Sequence, residues 1–197
     1  YDTAVLARRE SLGNVFVTNG YITSEALEHI APYLDAANVD LKGYSEKFYR
    51  EIAGATLKGV LDSLKEYKRL GIWLEVTTLI IPGHNDDEAD LRGVARFIAE
   101  ELSPETPWHV TAFYPTYRLL DSPPTPVSTL RKARRIGLEA GLKYVYEGNI
   151  PGEGGENSLC PGCGKTIVER HGFRLLGVHL TSGCCGFCGA PVAGIWG

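Results

Sequence analysis

The residues best suited to chemistry lie near the end of the chain, as Cys160-Pro161-Gly162-Cys163-Gly164 and Cys185-Gly186-Phe187-Cys188-Gly189. Two residues between cysteines let a tight turn aim both sulfurs at one point, and the glycine after each second cysteine lets the backbone turn around it. Two such knuckles make a closed tetrahedral shell from Cys160, Cys163, Cys185 and Cys188, of the kind that holds structural zinc. Iron in the same shell, or a pair of disulfides, are the alternatives that the spacing leaves open. A shell with no open position holds structure and does no catalysis. The interval 164–184 has room for a small hairpin, Thr166–Val168 against Arg174–Val178. Cys184 is read as a free thiol, because Cys185 is the residue that preserves the spacing, and His171 and His179 as structural or solvent-facing.

A second set of polar residues follows short apolar runs: Thr18-Asn19-Gly20, Asp40-Leu41-Lys42, Thr77-Thr78 with Ile81-Pro82-Gly83-His84-Asn85-Asp86, Tyr114 and Asn149. In parallel β/α folds chemistry collects at the C-terminal ends of strands, which is where these residues fall. Asp40 and Lys42 need partners, because an unpaired charge in an apolar stretch is costly. They either serve a site or form a structural pair.

The elements that would position them alternate along the chain. Candidate strands are Asn14–Thr18, Ala37–Leu41, Trp73–Ile81, Trp108–Tyr114 and Lys143–Glu147, whose apolar runs read as strands buried on both faces of a parallel sheet. Helical stripes separate them: Leu27, Ile30, Ala31 and Leu34 behind Thr23 and Ser24 as caps; Leu57, Val60, Leu61, Leu64 and Tyr67, closed by Gly71; and Leu91, Val94, Ala95, Ile98 and Leu102 behind Asp86, Asp87 and Glu88. A fourth helix is expected to open with Thr125 as cap and Pro126 in its first turn, and to end at Gly141. The pattern predicts an α/β fold, either a doubly wound sheet or the later strands of a partial (β/α) barrel. Residues 1–150 form that unit, Gly148–Ser158 reads as a linker, and residues 151–197 form the cysteine-bearing unit.

Composition narrows the function classes. A formal net charge of −4 with both signs mixed argues against non-specific nucleic-acid binding, and no apolar run has the length of a membrane span. With no secretory signal, a cytoplasmic location is expected, where paired cysteines hold metal more often than they form disulfides. There is no methionine, and Tyr1–Arg9 reads as the second half of an amphipathic helix, so residues upstream are expected, a processed terminus being the alternative.

Thr18-Asn19-Gly20 after an apolar strand, then Asn38-Val39-Asp40-Leu41-Lys42-Gly43, then Ile80-Ile81-Pro82-Gly83-His84-Asn85-Asp86, resemble radical S-adenosylmethionine (SAM) enzymes of the pyruvate formate-lyase activating type. Tyr144-Val145-Tyr146-Glu147-Gly148-Asn149-Ile150-Pro151-Gly152 and the terminal knuckles resemble in particular the radical SAM family of the AmmeMemoRadiSam system. The resemblance implies a partial (β/α)6 barrel with S-adenosylmethionine at its open end, a [4Fe–4S] cluster, an electron donor, and an unknown substrate or protein partner. Such enzymes cleave S-adenosylmethionine reductively to a 5′-deoxyadenosyl radical that abstracts hydrogen.

Carried over by position, Lys42 would pair with the methionyl carboxylate; Thr18, Asn19, Asp40, Thr77 and Tyr114 would shape the polar site; and Leu79, Ile80 and Gly83 would line the adenine. The family's C-x3-C-x2-C and Gly-Gly-Glu-Pro segments are absent and would lie before Tyr1, so this chain as written is expected to be inactive. Val17 replaces an acid, and Tyr114 a histidine, of the activating enzymes. The competing reading is a non-catalytic module in which a β/α scaffold presents a zinc ribbon, with Lys165, Arg170 and Arg174 diluted by Glu153, Glu156 and Glu169.

Overall fold

In the computed structural model, which describes residues 1–150, 152, 154–172 and 174–196, the chain opens with helix α1 (Asp2–Arg9) and then alternates strands with helices. The strands are β1 (Val15–Thr18), β2 (Ala36–Asp40), β3 (Trp73–Ile80), β4 (Trp108–Ala112) and β5 (Val145–Gly148). They form one sheet in the order β1-β2-β3-β4-β5, every neighbouring pair parallel. Helices α2 (Ser24–Ile30), α3 (Glu46–Phe48), α4 (Leu57–Arg69), α5 (Glu88–Phe97) and α6 (Val127–Glu139) fill the crossovers.

The helix boundaries have local causes. Thr23, Thr56 and Asp87 accept from the backbone N–H of Ala26, Gly59 and Asp90, each satisfying a donor that the first turn leaves open. Gly71 adopts φ +76° beyond α4, the left-handed geometry that ends a helix most cheaply in glycine. Two helices run on into wide π turns, Tyr49–Ala53 after α3 and Ile98–Leu102 after α5, which periodicity alone does not show.

Thr125 is not a cap. Pro126 occupies the cap position of α6, and the Thr125 hydroxyl bonds the Ile80 carbonyl at 2.5 Å while accepting from the Phe113 N–H at 2.8 Å. Thr125 thus ties the end of β3 to the segment after β4, a use its place before proline conceals.

One face of the sheet carries the core. Leu27, Leu64, Leu91, Leu130 and Ile136 from the helices are sealed against Val39, Val76, Ile80 and Val110 of the strands, each such side chain stabilising the fold by about 1.5–3 kcal/mol. The opposite face differs from the expectation of strands buried on both sides. Along β3 buried residues alternate with half-buried ones, and the half-buried row is Trp73, Glu75, Thr77 and Leu79. That row continues in register through Asn38 and Asp40 on β2, His109 and Thr111 on β4, and Tyr146 on β5. These side chains are largely polar, so a sheet face that water reaches suits them. At the β1 edge of the sheet Val15 and Val17 are 60% and 84% exposed.

Beyond β5 lies a small β module. Strands β6 (Ser158–Leu159), β7 (Thr166–His171) and β8 (Arg174–Val178) form an antiparallel sheet, and β9 (Leu180–Thr181) pairs with β10 (Cys184–Cys185). The hairpin expected between the knuckles is β7–β8. A second buried cluster of Tyr144, Cys160, Ile167, Cys185 and Val192 holds the module to the start of β5, where the Ala193 N–H donates to the Tyr144 hydroxyl at 3.1 Å. A cleft of about 410 Å³ runs between the module and the starts of the strands, touching Val15, Asp35, Trp73 and Pro107 on one side and Ile167 and Trp196 on the other. The module therefore sits under the N-terminal end of the sheet. Among the described residues no helix is long and apolar enough to cross a membrane.

Candidate functional site

The four cysteines of the knuckles converge. Their sulfurs all lie within 4.8 Å of one another, with Cys160 and Cys188 3.6 Å apart and Cys163 and Cys185 3.8 Å apart. An ion with metal–sulfur bonds of about 2.3 Å sets the edge of its sulfur tetrahedron at about 3.8 Å, whereas a disulfide needs about 2.05 Å. All five cysteines are free, which removes the disulfide alternative.

Repeated turn geometry aims the sulfurs. The N–H of Gly164 donates to the Cys160 carbonyl and that of Gly189 to the Cys185 carbonyl, at 2.9 and 2.8 Å, with both glycines at positive φ. The N–H groups of Gly162 and Phe187 point at the sulfurs of Cys160 and Cys185, at 3.3 and 3.4 Å, and so compensate thiolate charge. A Cβ on Gly162 would lie 2.9 Å from Cβ of Ala190, so the knuckles need glycine there. Cys184 stays outside the group.

The strand-end residues gather at the opposite end of the sheet. Asp40 ends β2, and Lys42 folds back so that its ammonium donates to the Asp40 carboxylate at 2.8 Å. Both side chains are about one third exposed (36%), which leaves ammonium donors open to solvent. Thr77 lies beside Asp40 in register and bonds Asn38 at 2.7 Å, and the N–H of Gly20 donates to Thr18 at 3.2 Å. Asn19 accepts from the N–H of Tyr21, and Gly83 sits in an open turn at φ +79° with its N–H on Asp86. The Tyr114 hydroxyl is spent on the Asn149 carbonyl at 3.1 Å. Leu79 belongs to the water-facing row, but the neighbouring Ile80 points the other way and is fully buried in the core. The adenine-lining role expected of Ile80 therefore cannot come from its side chain, because successive strand residues face opposite sides.

Residues whose role the sequence did not reveal hold the Asp40–Lys42 turn. Asn85 is wholly buried; its amide donates to the carbonyls of Lys42 and Leu79 while its oxygen accepts from the Ile81 N–H. The Trp108 indole donates to the Thr78 hydroxyl at 2.9 Å, and Thr78 donates onward to the Leu41 carbonyl at 2.8 Å. The Lys42 N–H donates to the Tyr49 hydroxyl, whose pKa burial pushes up to about 12. Asp90 accepts from the Tyr44 N–H at 2.7 Å, and its other oxygen is buried without a partner.

Burial first, and the nearby Asp87 charge second, push the Asp90 carboxyl up from its ordinary value to about 6. The native state therefore binds more protons than the unfolded chain between about pH 4 and 6, so this contribution is fullest at low pH and is lost as pH rises through 6. Urea unfolding at pH 4.5 and 7 should show that Asp90→Asn flattens this slope by on the order of 1–2 kcal/mol after solvent screening. An unchanged slope would contradict the assignment.

A cavity of about 710 Å³ opens away from the knuckles and from the Asp40–Lys42 turn, reaching Asn149 at one end. It lies against the half-buried row, where Glu75, His109 and Tyr146 of the sheet meet Arg170 of the module. The spacing of these residues along the chain carries no signal for this meeting, since strand pairing and the docked module bring them together.

Residues 1–97 match the family model described as the radical SAM superfamily. An uncharacterized protein of Methanocaldococcus jannaschii is 45% identical over 98% of this chain, and the chain spans 57% of that relative's length. The isethionate sulfite-lyase activating enzyme of Oleidesulfovibrio alaskensis is 28% identical over 48% of the chain, and the match takes in 31% of that enzyme. Among solved structures, a domain of pyruvate-formate lyase-activating enzyme from Bacteroides vulgatus superimposes with a TM-score of 0.65 at 14% identity, covering 75% of this chain and 88% of that domain.

Proposed function

Since residues 1–97 belong to the radical SAM superfamily, we propose that the chain forms the S-adenosylmethionine-binding part of a radical SAM enzyme. The observation that carries this reading is the Asp40–Lys42 pair at the end of β2, solvent-reachable and braced from behind by Asn85, Thr78 and Tyr49. In this reading the Lys42 ammonium keeps one donor on Asp40 and gives another to the methionyl carboxylate, while Thr18, Asn19 and Thr77 line the polar side. Leu79 and the open turn at Gly83 receive the adenine, with Ile80 contributing backbone alone. Tyr114 borders the site through its ring, its hydroxyl being engaged by Asn149.

A [4Fe–4S] cluster would supply the electron for reductive cleavage in an enzyme of this family. This chain's cysteines do not fit that group, because four of the five converge on the other end of the sheet and no C-x3-C-x2-C is present. The knuckles fit zinc: four thiolates at tetrahedral spacing would hold the ion and fasten the module beneath the sheet, without chemistry of its own. Residues 1–150 and 151–197 are proposed as the two units. The whole protein's substrate, electron donor and partner follow from the activating-enzyme relatives only as a class, and a cytoplasmic location belongs to the same proposal.

Calorimetric titration of S-adenosylmethionine into the protein tests the reading. Saturable binding, competed by S-adenosylhomocysteine and accompanied by shifts of the Lys42 and Thr18 amide resonances, is expected. No heat and no shift at millimolar ligand would overturn it.

A further inference from the structure

The large cavity on the water-facing side of the sheet is lined by a set of side chains that the Asp40–Lys42 site does not use. Glu75 accepts from the Trp73 indole at 3.2 Å and pairs with Nε2 of His109 at 2.7 Å. Burial opposes ionisation of Glu75, but the bond from His109, helped by Trp73 and the Arg170 charge, outweighs it and holds the carboxyl below its ordinary value. An ionised carboxylate only accepts, so Nε2 of His109 carries the hydrogen.

In its neutral form the imidazole presents Nδ1 as a hydrogen-bond acceptor, and no described residue hydrogen-bonds it. The ring is fixed by stacking on Tyr146, with centroids 5.0 Å apart and planes 24° apart. Tyr146 is in turn anchored to the module, its hydroxyl 2.9 Å from Ser158, to which Arg170 also donates at 3.1 Å.

Charge selects the ligand. Glu75 and Glu156 face the cavity against one arginine among the described residues, Arg170, so its field favours a cation or a neutral donor over an anion. Its volume, about 710 Å³, falls in the range of small-molecule sites.

We propose that this cavity is a binding site for a small amine, whose N–H donates to Nδ1 of His109 while Glu75 holds the imidazole in the required tautomer. The ligand's status as substrate rests on the radical SAM reading; the site itself rests on the cavity and its polar groups. Tyr146, Ser158 and Arg170 act as positioning residues, so the four-cysteine module forms one wall of the pocket.

The test uses the full, metal-loaded chain with ¹⁵N-labelled histidine at pH 8, without S-adenosylmethionine. The free protein should show His109 protonated at Nε2. Putrescine or ethylamine should shift the Nδ1 resonance saturably while His29 and His171 stay still, and succinate and inorganic phosphate should leave it unmoved. Glu75→Gln, which can donate to the ring, should turn the tautomer and weaken putrescine about tenfold or more, with the other histidine signals reporting an intact fold. An Nδ1–H tautomer in the free protein, a response to the anions alone, or silence toward every probe would overturn the proposal. Silence here with S-adenosylmethionine still binding at Lys42 removes the amine pocket alone; an amine response without S-adenosylmethionine binding removes the enzyme reading alone.

Discussion

Cys160→Ser is expected to release the metal and unfold the module from Ser158 to Trp196. Few buried groups hold that module: its cluster is Cys160, Cys185, Ile167 and Val192 around Tyr144, too small a core to be stable unaided. Structural zinc in comparable shells contributes about 10–16 kcal/mol of apparent binding energy at neutral pH, which dominates every other contribution in so small a unit. The wild-type chain should carry one ion, zinc giving a colourless protein and iron a coloured one, and elemental analysis decides between them. Cys160→Ser should lose that ion and the protection of the β7–β8 amides from exchange. Cys184→Ser should keep both, since Cys184 lies outside the sulfur group. Retention of one ion and native protection in Cys160→Ser would sink the assignment. The larger core between helices and sheet is a separate cluster and should stay protected in either variant.

Lys42→Ala should weaken S-adenosylmethionine binding by about 10–100-fold, the equivalent of one hydrogen bond to a charged group. The fold should not suffer, because the ammonium's described partner is Asp40 and the side chain is 36% exposed. The loss has two parts. The carboxylate of the ligand loses its cation, and Asp40, no longer neutralised, repels it. Asp40→Asn combined with Lys42→Ala should therefore bind better than Lys42→Ala alone, a non-additivity that generic damage to the turn would not produce. Calorimetry on the two single variants and the double variant reads this directly. Equal affinity in wild type and Lys42→Ala would remove the lysine from the site.

Much of the architecture is legible in residue order because burial leaves local traces. The five strands appear within one or two residues of their expected limits, as runs of Val, Ile, Leu and Tyr between turn residues, and the knuckles announce themselves by spacing. What escaped depends on contacts between distant segments. Glu75 and His109 are 34 positions apart along the chain, and nothing near either hints at a 2.7 Å pairing. Thr125 before Pro126 has the look of a helix cap, yet its hydroxyl reaches a carbonyl 45 positions away. Leu79 and Ile80 were both expected at the adenine, although strand alternation allows one side chain of the two. The polar row on the sheet was hidden by apolar partners on the alternate positions, where Leu74, Val76 and Ile80 dominate the pattern.

The sheet order repeats the order of the chain, each strand lying beside the one made just before it. A ribosome emitting this sequence would deliver every β/α unit next to a finished neighbour, so the growing sheet needs no long-range search until its last strand. The module is different. It follows β5 in the chain and settles under strand starts that include Val15 and Asp35, bringing distant parts of the sequence together. If the cysteines take up an ion, they do so after these five strands have been made, and a chain starved of metal would have this sheet built with its underside open.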